Sequence, residues 1–265
     1  MKFLLLLVFL FSIASSKVYY SKVEPYELRD ISSNVSGLII KIDEDKIGKV
    51  LSDDSYIEID TELDNKEYVY TTQKLKYISN TLISSKNILK NMKLSLIKKR
   101  ENYKKIKNLK IKSLIEKDKE FHDLINSENL YLNTKKEIDN LKVQISDLKF
   151  KIIYLKRKIK DKNLIAKGFV LYSIKVKVGQ VVGISTPLAQ VADISKAKLT
   201  IYLDPSDVLN ADKKIIYIDE KKTKYKISRT LNIADSINIS KYMAQIIIES
   251  PSIFSRLVKV ELRDE

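Results

Sequence analysis

In LKYISNTLISSKNILKNMKLSLIKKRENYKKI, residues 75–106, apolar residues recur at every seventh position. A coiled coil has this pattern, since apolar residues spaced by 3.5 positions keep one face of a helix against its partner. The pattern predicts a long helix with one packing face, interrupted by two polar residues. We call this face the first stripe; it consists of Leu75, Leu82, Leu89, Leu96 and Tyr103, with Ile78, Ser85, Met92, Lys99 and Ile106 three residues later.

A second stripe follows in the chain, and neither Gly nor Pro occurs between residues 49 and 167. Its members are Leu124, Tyr131, Ile138, Ile145, Ile152 and Ile159, with Ser127, Thr134, Leu141, Leu148 and Leu155. Between the stripes, seam positions are polar at Lys110, Ser113 and Lys117. The pattern permits a single helix of roughly 140 Å that dimerises as a rod. It also permits an antiparallel hairpin with arms of roughly 65–70 Å and a turn near 112–118.

The segments on either side of the helical region are rich in β-branched residues. VSGLIIKI at 35–42 and FVLYSIKVKV at 169–178 are apolar runs next to glycines, and KLTIYL at 198–203 is a further run. In the second run, Val176 and Val178 alternate with Lys175 and Lys177. Such runs predict short, half-buried strands. We therefore expect β structure before and after the helices.

The N-terminus has the layout of a secretory signal peptide. Lys2 is followed by an apolar stretch, Phe3 to Ile13, and then by the small residues Ala14, Ser15 and Ser16. The apolar stretch is too short for a spanning helix, which needs roughly 20 residues. We predict export and cleavage after Ser16, with an uncleaved anchor as the alternative.

The composition argues against most enzymes and against bound cofactors. The 265 residues include no Cys, one His and 5 Gly, so thiolate chemistry is excluded, and a His-rich metal site or a glycine-rich phosphate loop is not expected. We predict a non-enzymatic protein without catalytic residues, metal or cofactor. Residues 66–162 contain 26 basic and 11 acidic residues, a surplus that accounts for the whole net charge of +15. This charge either forms a solvated face or meets an acidic partner.

Two stretches around the helices carry a resemblance to a known family. SGLIIKIDEDKIGKVLSDDSYIEID at 36–60 and LIAKGFVLYSIKVKVGQVVGISTPLAQVADIS at 164–195 look like the two halves of a split lipoyl domain. KLTIYLDPSDVLNADKKIIYID at 198–219 is similar to the start of an adaptor β-barrel. In this order, the segments resemble the periplasmic adaptor proteins, also called membrane fusion proteins, of the HlyD and RND efflux type.

The resemblance implies an elongated α+β fold. A split lipoyl-like β-sandwich would be interrupted by a long antiparallel coiled-coil hairpin and followed by a β-barrel domain. The segments would be a signal peptide at 1–16, a first barrel strand at 17–34, lipoyl halves at 35–63 and 164–194, the hairpin at 64–163 and the barrel at 195–265. The membrane-proximal domain would be short or absent. Because the hairpin interrupts one small unit, its chain must return to its origin, which favours the hairpin over the rod.

The resemblance also implies a function. The protein would be a periplasmic subunit associated with the inner membrane, bridging an RND-type or ABC-type transporter and a TolC-type outer-membrane channel. It would form a ring of identical protomers and bind no nucleic acid. By comparison with the family's tip motif, Lys105, Leu109 and Glu116, together with Ser113 at the turn, would contact the channel. The alternatives are a basic coiled-coil binding or scaffolding protein without a transporter, a nucleic-acid-binding coiled coil and a lipoylated carrier subunit. The transported substrate is left open.

Overall fold

The computed structural model describes residues 17–234, 238 and 240–264. The predicted signal peptide lies outside these residues. The protein combines two long helices with β-sheets and divides into two compact units. The hairpin unit comprises Glu58–Leu164, and the β unit comprises the chain on either side of it.

The elements follow one another along the chain as two strand-rich regions separated by the two long helices. They are β1 Lys17–Ser32, β2 Gly37–Ile42, β3 Ile57–Ile59, α1 Glu62–Lys107, α2 Leu114–Asp161, β4 Asn163–Leu164, β5 Val170–Ile174, β6 Val181–Val182, β7 Pro187–Leu203, α3 Pro205–Val208, β8 Ile215–Ile218, β9 Lys221–Lys222, β10 Ile227–Ala234, β11 Tyr242–Glu249 and β12 Leu257–Arg263.

The helices α1 and α2 pack against each other and run antiparallel within the hairpin unit. Side-chain pairs between them show the direction, because the residue number on α2 falls as the number on α1 rises. From the base to the turn, the pairs are Asp64 with Lys158, Glu67 with Lys151, Met92 with Thr134, Arg100 with Glu128 and Tyr103 with Phe121. With 46 and 48 residues, each helix is about 70 Å long.

The pattern of burial along both helices follows the two stripes. Every residue of the second stripe is buried or half-buried, and so is every residue of the first stripe except Lys99. The Lys99 Nζ atom donates a 2.8 Å hydrogen bond to the Ser127 hydroxyl on α2. The stripes are therefore the faces along which the two helices meet.

Buried charges join the two helices at the base of the hairpin. The Asp64 carboxylate accepts a hydrogen bond from Lys162 and forms a 2.8 Å ion pair with Lys158, and its side chain is only 7% exposed. Burial would raise the pKa of Asp64, but the hydrogen bonds from Lys158 and Lys162 outweigh it and hold that pKa below its usual range. Lys162 also donates to the carbonyl of Asp60, so the ammonium group is satisfied although it is buried.

The β unit brings together the two stretches that resemble lipoyl halves. The Gly48 N–H donates to the Leu171 carbonyl at 2.8 Å, and the Gly179 N–H donates to the Ile39 carbonyl at 2.9 Å. Both glycines have a φ of +80° or more, which residues with a Cβ rarely adopt. The side chains of Ile39 and Leu171 are fully buried between the two stretches, which form one small core.

A longer sheet builds the second core of the β unit. Its strand order is β10-β11-β7-β1-β12-β8-β9, with β5 pairing beside β7. Burial alternates along the end of β7, because Leu199, Ile201 and Leu203 are fully buried and their neighbours are not. The alternation predicted at 175–178 does not form a strand, because β5 already ends at Ile174. Val23, Ile216, Ile246 and Val260 from four other strands complete this core.

The prediction of a β-barrel needs correction. Among the described residues, β10 and β9 stand at opposite ends of the sheet and do not pair with each other, so the barrel is not closed. Closure requires the first and last strands to join, and β9 offers only two residues for pairing. The turn of the hairpin also lies earlier than expected, at 108–113, because α2 already begins at Leu114.

Candidate partner-binding site at the hairpin tip

The turn between the long helices forms a site that we call the tip, residues 105–116. Helix α1 ends at Lys107, and Asn108 is its C-cap. Ser113 is the N-cap of α2, with an extended backbone at φ −64° and ψ 157°. Both helix ends are therefore defined by local geometry.

Ser113 and Glu116, two of the residues predicted to contact a channel, contact each other. The Ser113 hydroxyl accepts a 3.3 Å hydrogen bond from the Glu116 N–H, and the Glu116 carboxylate accepts a 3.0 Å hydrogen bond from the Ser113 N–H. This capping box satisfies backbone donors that the first turn of a helix leaves without partners. Lys112 holds the same carboxylate through a 2.8 Å ion pair.

The charges around Glu116 stabilise its ionised form. The hydrogen bond from Lys112, followed by those from the backbone and side chain of Ser113, lowers the pKa of Glu116 to about 2. The ion pair with Glu116 in turn raises the pKa of Lys112. Glu116 is thus a capping carboxylate that stays charged at neutral pH, with no arrangement for proton transfer.

The other two predicted tip residues lie on the α1 side of the turn. Lys105 is exposed in the last turn of α1, where positive charge suits the helix dipole. Leu109 lies in the connection and is partly exposed, and its N–H donates to the Ile106 carbonyl at 3.1 Å. Neither side chain contributes to the capping box.

Three exposed apolar residues at the tip were not among the predicted contact residues. Ile111 is 96% exposed, Ile115 81% and Leu114 74%. With Leu109 they form the apolar tip cluster. Their positions carried a sequence signal, because apolar residues that fall outside a heptad stripe face solvent in a two-helix hairpin.

Lysines are frequent in the chain around the apolar tip cluster. They occupy five of the nine positions 104–112, and all five are exposed: Lys104, Lys105, Lys107, Lys110 and Lys112. Below the cluster, Tyr103 and Phe121 pack with ring centroids 5.6 Å apart and close the space between the helices. The tip therefore presents an apolar centre with a basic border, the composition of a surface that binds another protein.

Residues 17–234, 238 and 240–264 contain no group of three His, Asp or Glu side chains placed to hold a metal ion. No helix in this part of the chain is both long enough and apolar enough to cross a membrane.

The fold has close counterparts among solved structures, although no protein-family profile and no curated protein matches the sequence. The membrane fusion protein Spr0693 from Streptococcus pneumoniae R6 is similar with a TM-score of 0.64 at 10% identity, over 94% of this chain and 100% of that one. MacA from Actinobacillus actinomycetemcomitans gives a TM-score of 0.62 at 21% identity, over 95% and 79% of the two chains. A MacA–MexA chimera that contains the α-hairpin domain of Pseudomonas aeruginosa MexA gives 0.54 at 17% identity, over 96% and 83%.

These likenesses extend over nearly the whole chain and include both the strands and the long helices. The chain therefore has the fold of the membrane fusion proteins, as the resemblance in its sequence predicted. Identities of 10–21% establish the fold alone, so partners and activity rest on the chain's own residues.

Proposed function

We propose that this chain is the periplasmic adaptor subunit of a tripartite export or efflux system. It bridges an inner-membrane transporter of the RND or ABC type and an outer-membrane channel, and it works without catalysis. The protomers assemble into a ring. The fold of the membrane fusion proteins supports this role, and the apolar tip cluster is the single observation that supports a docking surface at the tip.

The tip is the part of the hairpin that meets the channel in this proposal. Burying Ile111, Leu114 and Ile115 against a partner would remove large apolar side chains from water, at roughly 1.5–3 kcal/mol for each one fully buried. The lysines at the border would attract an acidic rim on the partner and speed association. The channel's end should accordingly offer an apolar recess with carboxylates around it.

Ser113 was predicted to be a contact residue, but it is also the N-cap of α2. Its hydroxyl and its N–H are both engaged with Glu116. A photoreactive residue at Ser113 would therefore disturb the helix start. Ile111 is the better position, since its side chain is almost fully exposed.

The experiment is photo-crosslinking in the native cell with p-benzoylphenylalanine at Ile111. The matched control carries the same residue at Phe150, which is exposed on α2 far from the turn. We expect an outer-membrane channel as the main adduct from Ile111 and none from Phe150. Adducts only with other copies of this chain, or equal channel adducts from both positions, would contradict the proposal.

A variant gives the functional readout. Ile111→Asp with Ile115→Asp should abolish export while leaving the amount of protein and its helical circular dichroism unchanged, because both side chains are exposed. Ile153→Asp, an exposed apolar residue in the arm of α2, should leave export intact. Export that survives the tip variant would rule out this docking surface.

The surplus of basic residues on the helices favours one alternative, a basic coiled-coil scaffold that binds acidic partners without a transporter. The same crosslinking decides between the two. A scaffold would yield soluble acidic proteins along the whole arm, at Phe150 as well as at Ile111.

A further inference from the structure

A cavity of about 410 Å³ opens in the β unit where strands β1 and β7 lose their register. Pro25 pairs with Ala197, but the next pair joins Glu27 to Asp193, so residues 194–196 of β7 lie opposite Tyr26 alone. Such a bulge bends one strand away from its neighbour. The volume lies within the range of small-molecule sites, roughly 300–1,000 Å³.

The walls of this cavity, which we call the bulge pocket, are mainly apolar. The large apolar and aromatic side chains in its lining are Leu28, Val170, Tyr172, Ile194 and Phe254. The Tyr172 side chain is more than half exposed, and Phe254 is half-buried. Both aromatic rings therefore offer surface that a bound apolar group could cover.

Charged side chains also line the pocket. Lys198 on β7 pairs with Glu24 on β1 in the sheet register, and Lys22 lies two residues before Glu24. Cross-strand partners project from the same face of a sheet. Within the described part of the chain, neither lysine has an ion pair with a carboxylate. Among the residues that line the pocket, two ammonium groups therefore stand against the one carboxylate of Glu24. Glu27, whose pKa is lowered chiefly by its hydrogen bond from Arg29 and also by the charge of Lys198, does not line the pocket.

We propose that the bulge pocket binds an amphiphilic anion, with its acidic head at Lys22 and Lys198 and its apolar body against Tyr172 and Phe254. An anion gains more from Lys198, which is a half-buried residue, than from a lysine on an open surface, because screening by water is weaker there. The pocket gives this chain a ligand of its own, which an adaptor role alone does not require.

The test uses the full chain and the fluorescent amphiphilic anion 1-anilinonaphthalene-8-sulfonate. Saturable binding should weaken as the salt concentration rises. Lys198→Gln should weaken it roughly three- to tenfold, and Glu24→Gln should strengthen it by a similar factor, because the two substitutions change the local charge in opposite directions. Lys196→Gln is the matched control, since Lys196 lies two residues away on β7 but outside the pocket lining.

Two further variants test the apolar wall. Phe254→Ala should abolish the fluorescence increase, and Leu28→Asp, at a partly exposed position, should do so without removing a buried side chain. The tip variant Ile111→Asp with Ile115→Asp should leave binding unchanged, and dodecanoate should compete with the probe.

Opposite shifts in the two charge variants, with Lys196→Gln unchanged, would establish the site. Equal affinities in Lys198→Gln and Glu24→Gln, loss of binding in the tip variant, or the absence of saturable binding would each overturn the proposal. None of these outcomes bears on the docking of the tip, which the crosslinking at Ile111 tests separately.

Discussion

Ser113 and Glu116 bind each other at the start of α2, with the Ser113 hydroxyl 3.3 Å from the Glu116 nitrogen and the Glu116 carboxylate 3.0 Å from the Ser113 nitrogen. Two of the residues that were predicted to contact a channel thus have a structural task inside one helical turn. The most exposed large apolar side chains near this cap are Ile111, Leu114 and Ile115.

Removing the cap should loosen the first turn of α2. Ser113→Ala should cost about 1 kcal/mol, because the Glu116 N–H loses its acceptor. Amide hydrogen exchange at residues 114–120, followed by mass spectrometry, should become roughly fivefold faster. Ser95→Ala, an exposed position within α1, is the control and should not accelerate exchange there.

The same turn should respond to acid in a defined window. Folding lowers the pKa of Glu116 from its ordinary value of 4.5 to about 2, so its contribution is complete above pH 4.5 and is lost as the pH falls toward 2. Carboxyl chemical shifts in an NMR titration should place the Glu116 midpoint near the lower value. A midpoint at 4.5 would mean that the capping box does not form.

The buried pair at the hairpin base should matter more than exposed pairs. Asp64→Asn should lower the free energy of unfolding by about 3 kcal/mol, because two ammonium groups lose their carboxylate and Lys162 is buried. Glu62→Gln removes the carboxylate of the exposed ion pair between Glu62 and Lys66. This variant should lower the free energy of unfolding by less than about 0.5 kcal/mol. Urea unfolding monitored by helical circular dichroism compares the two variants. Similar unfolding midpoints would contradict the prediction that the buried pair stabilises the hairpin more than the exposed pair.

The stripes predict which leucines hold the helices together. Leu155→Ala should destabilise the hairpin by about 2–5 kcal/mol, since Leu155 is only 1% exposed. Ile153→Ala, two residues away on the exposed face, should change stability by less than about 1 kcal/mol. If Ile153→Ala proved as costly as Leu155→Ala in thermal unfolding, the packing faces would be wrongly assigned.

The glycine turns of the β unit differ in what they tolerate. Gly179→Ala should cost roughly 1–2 kcal/mol, because a residue with a Cβ rarely adopts a φ of +85°. Lack of space is not the reason, since nothing except the neighbouring residues of the chain lies within 4 Å of the new Cβ. Gly183→Ala has the same open space without a positive φ and should be close to neutral or slightly stabilising. Amide exchange across residues 170–191 measures both, and equal effects would refute the backbone argument.

Local patterns predicted the helices well and the sheets only in part. Residues 75–106 carry a repeat that specifies both a helix and its buried face, and burial of Leu96 and Ile106 follows that repeat. The capping box at Ser113 could also have been read from the sequence, and it would have moved the predicted turn to 108–113. The open sheet could not have been predicted from the sequence, because whether β10 meets β9 depends on contacts between segments that are far apart in the chain.

The sequence by itself determined the two long helices, their packing faces, the positive charge that they carry and the absence of thiol chemistry. These properties are local, since they follow from heptad spacing, from a stretch without Gly or Pro and from composition. The tertiary structure decided which strands pair, that β1 and β7 separate to open the bulge pocket, and that Lys22, Lys198 and Phe254 face one cavity. Such features arise from residues distant in the chain, and their positions depend on the register of the sheet, which no local pattern specifies.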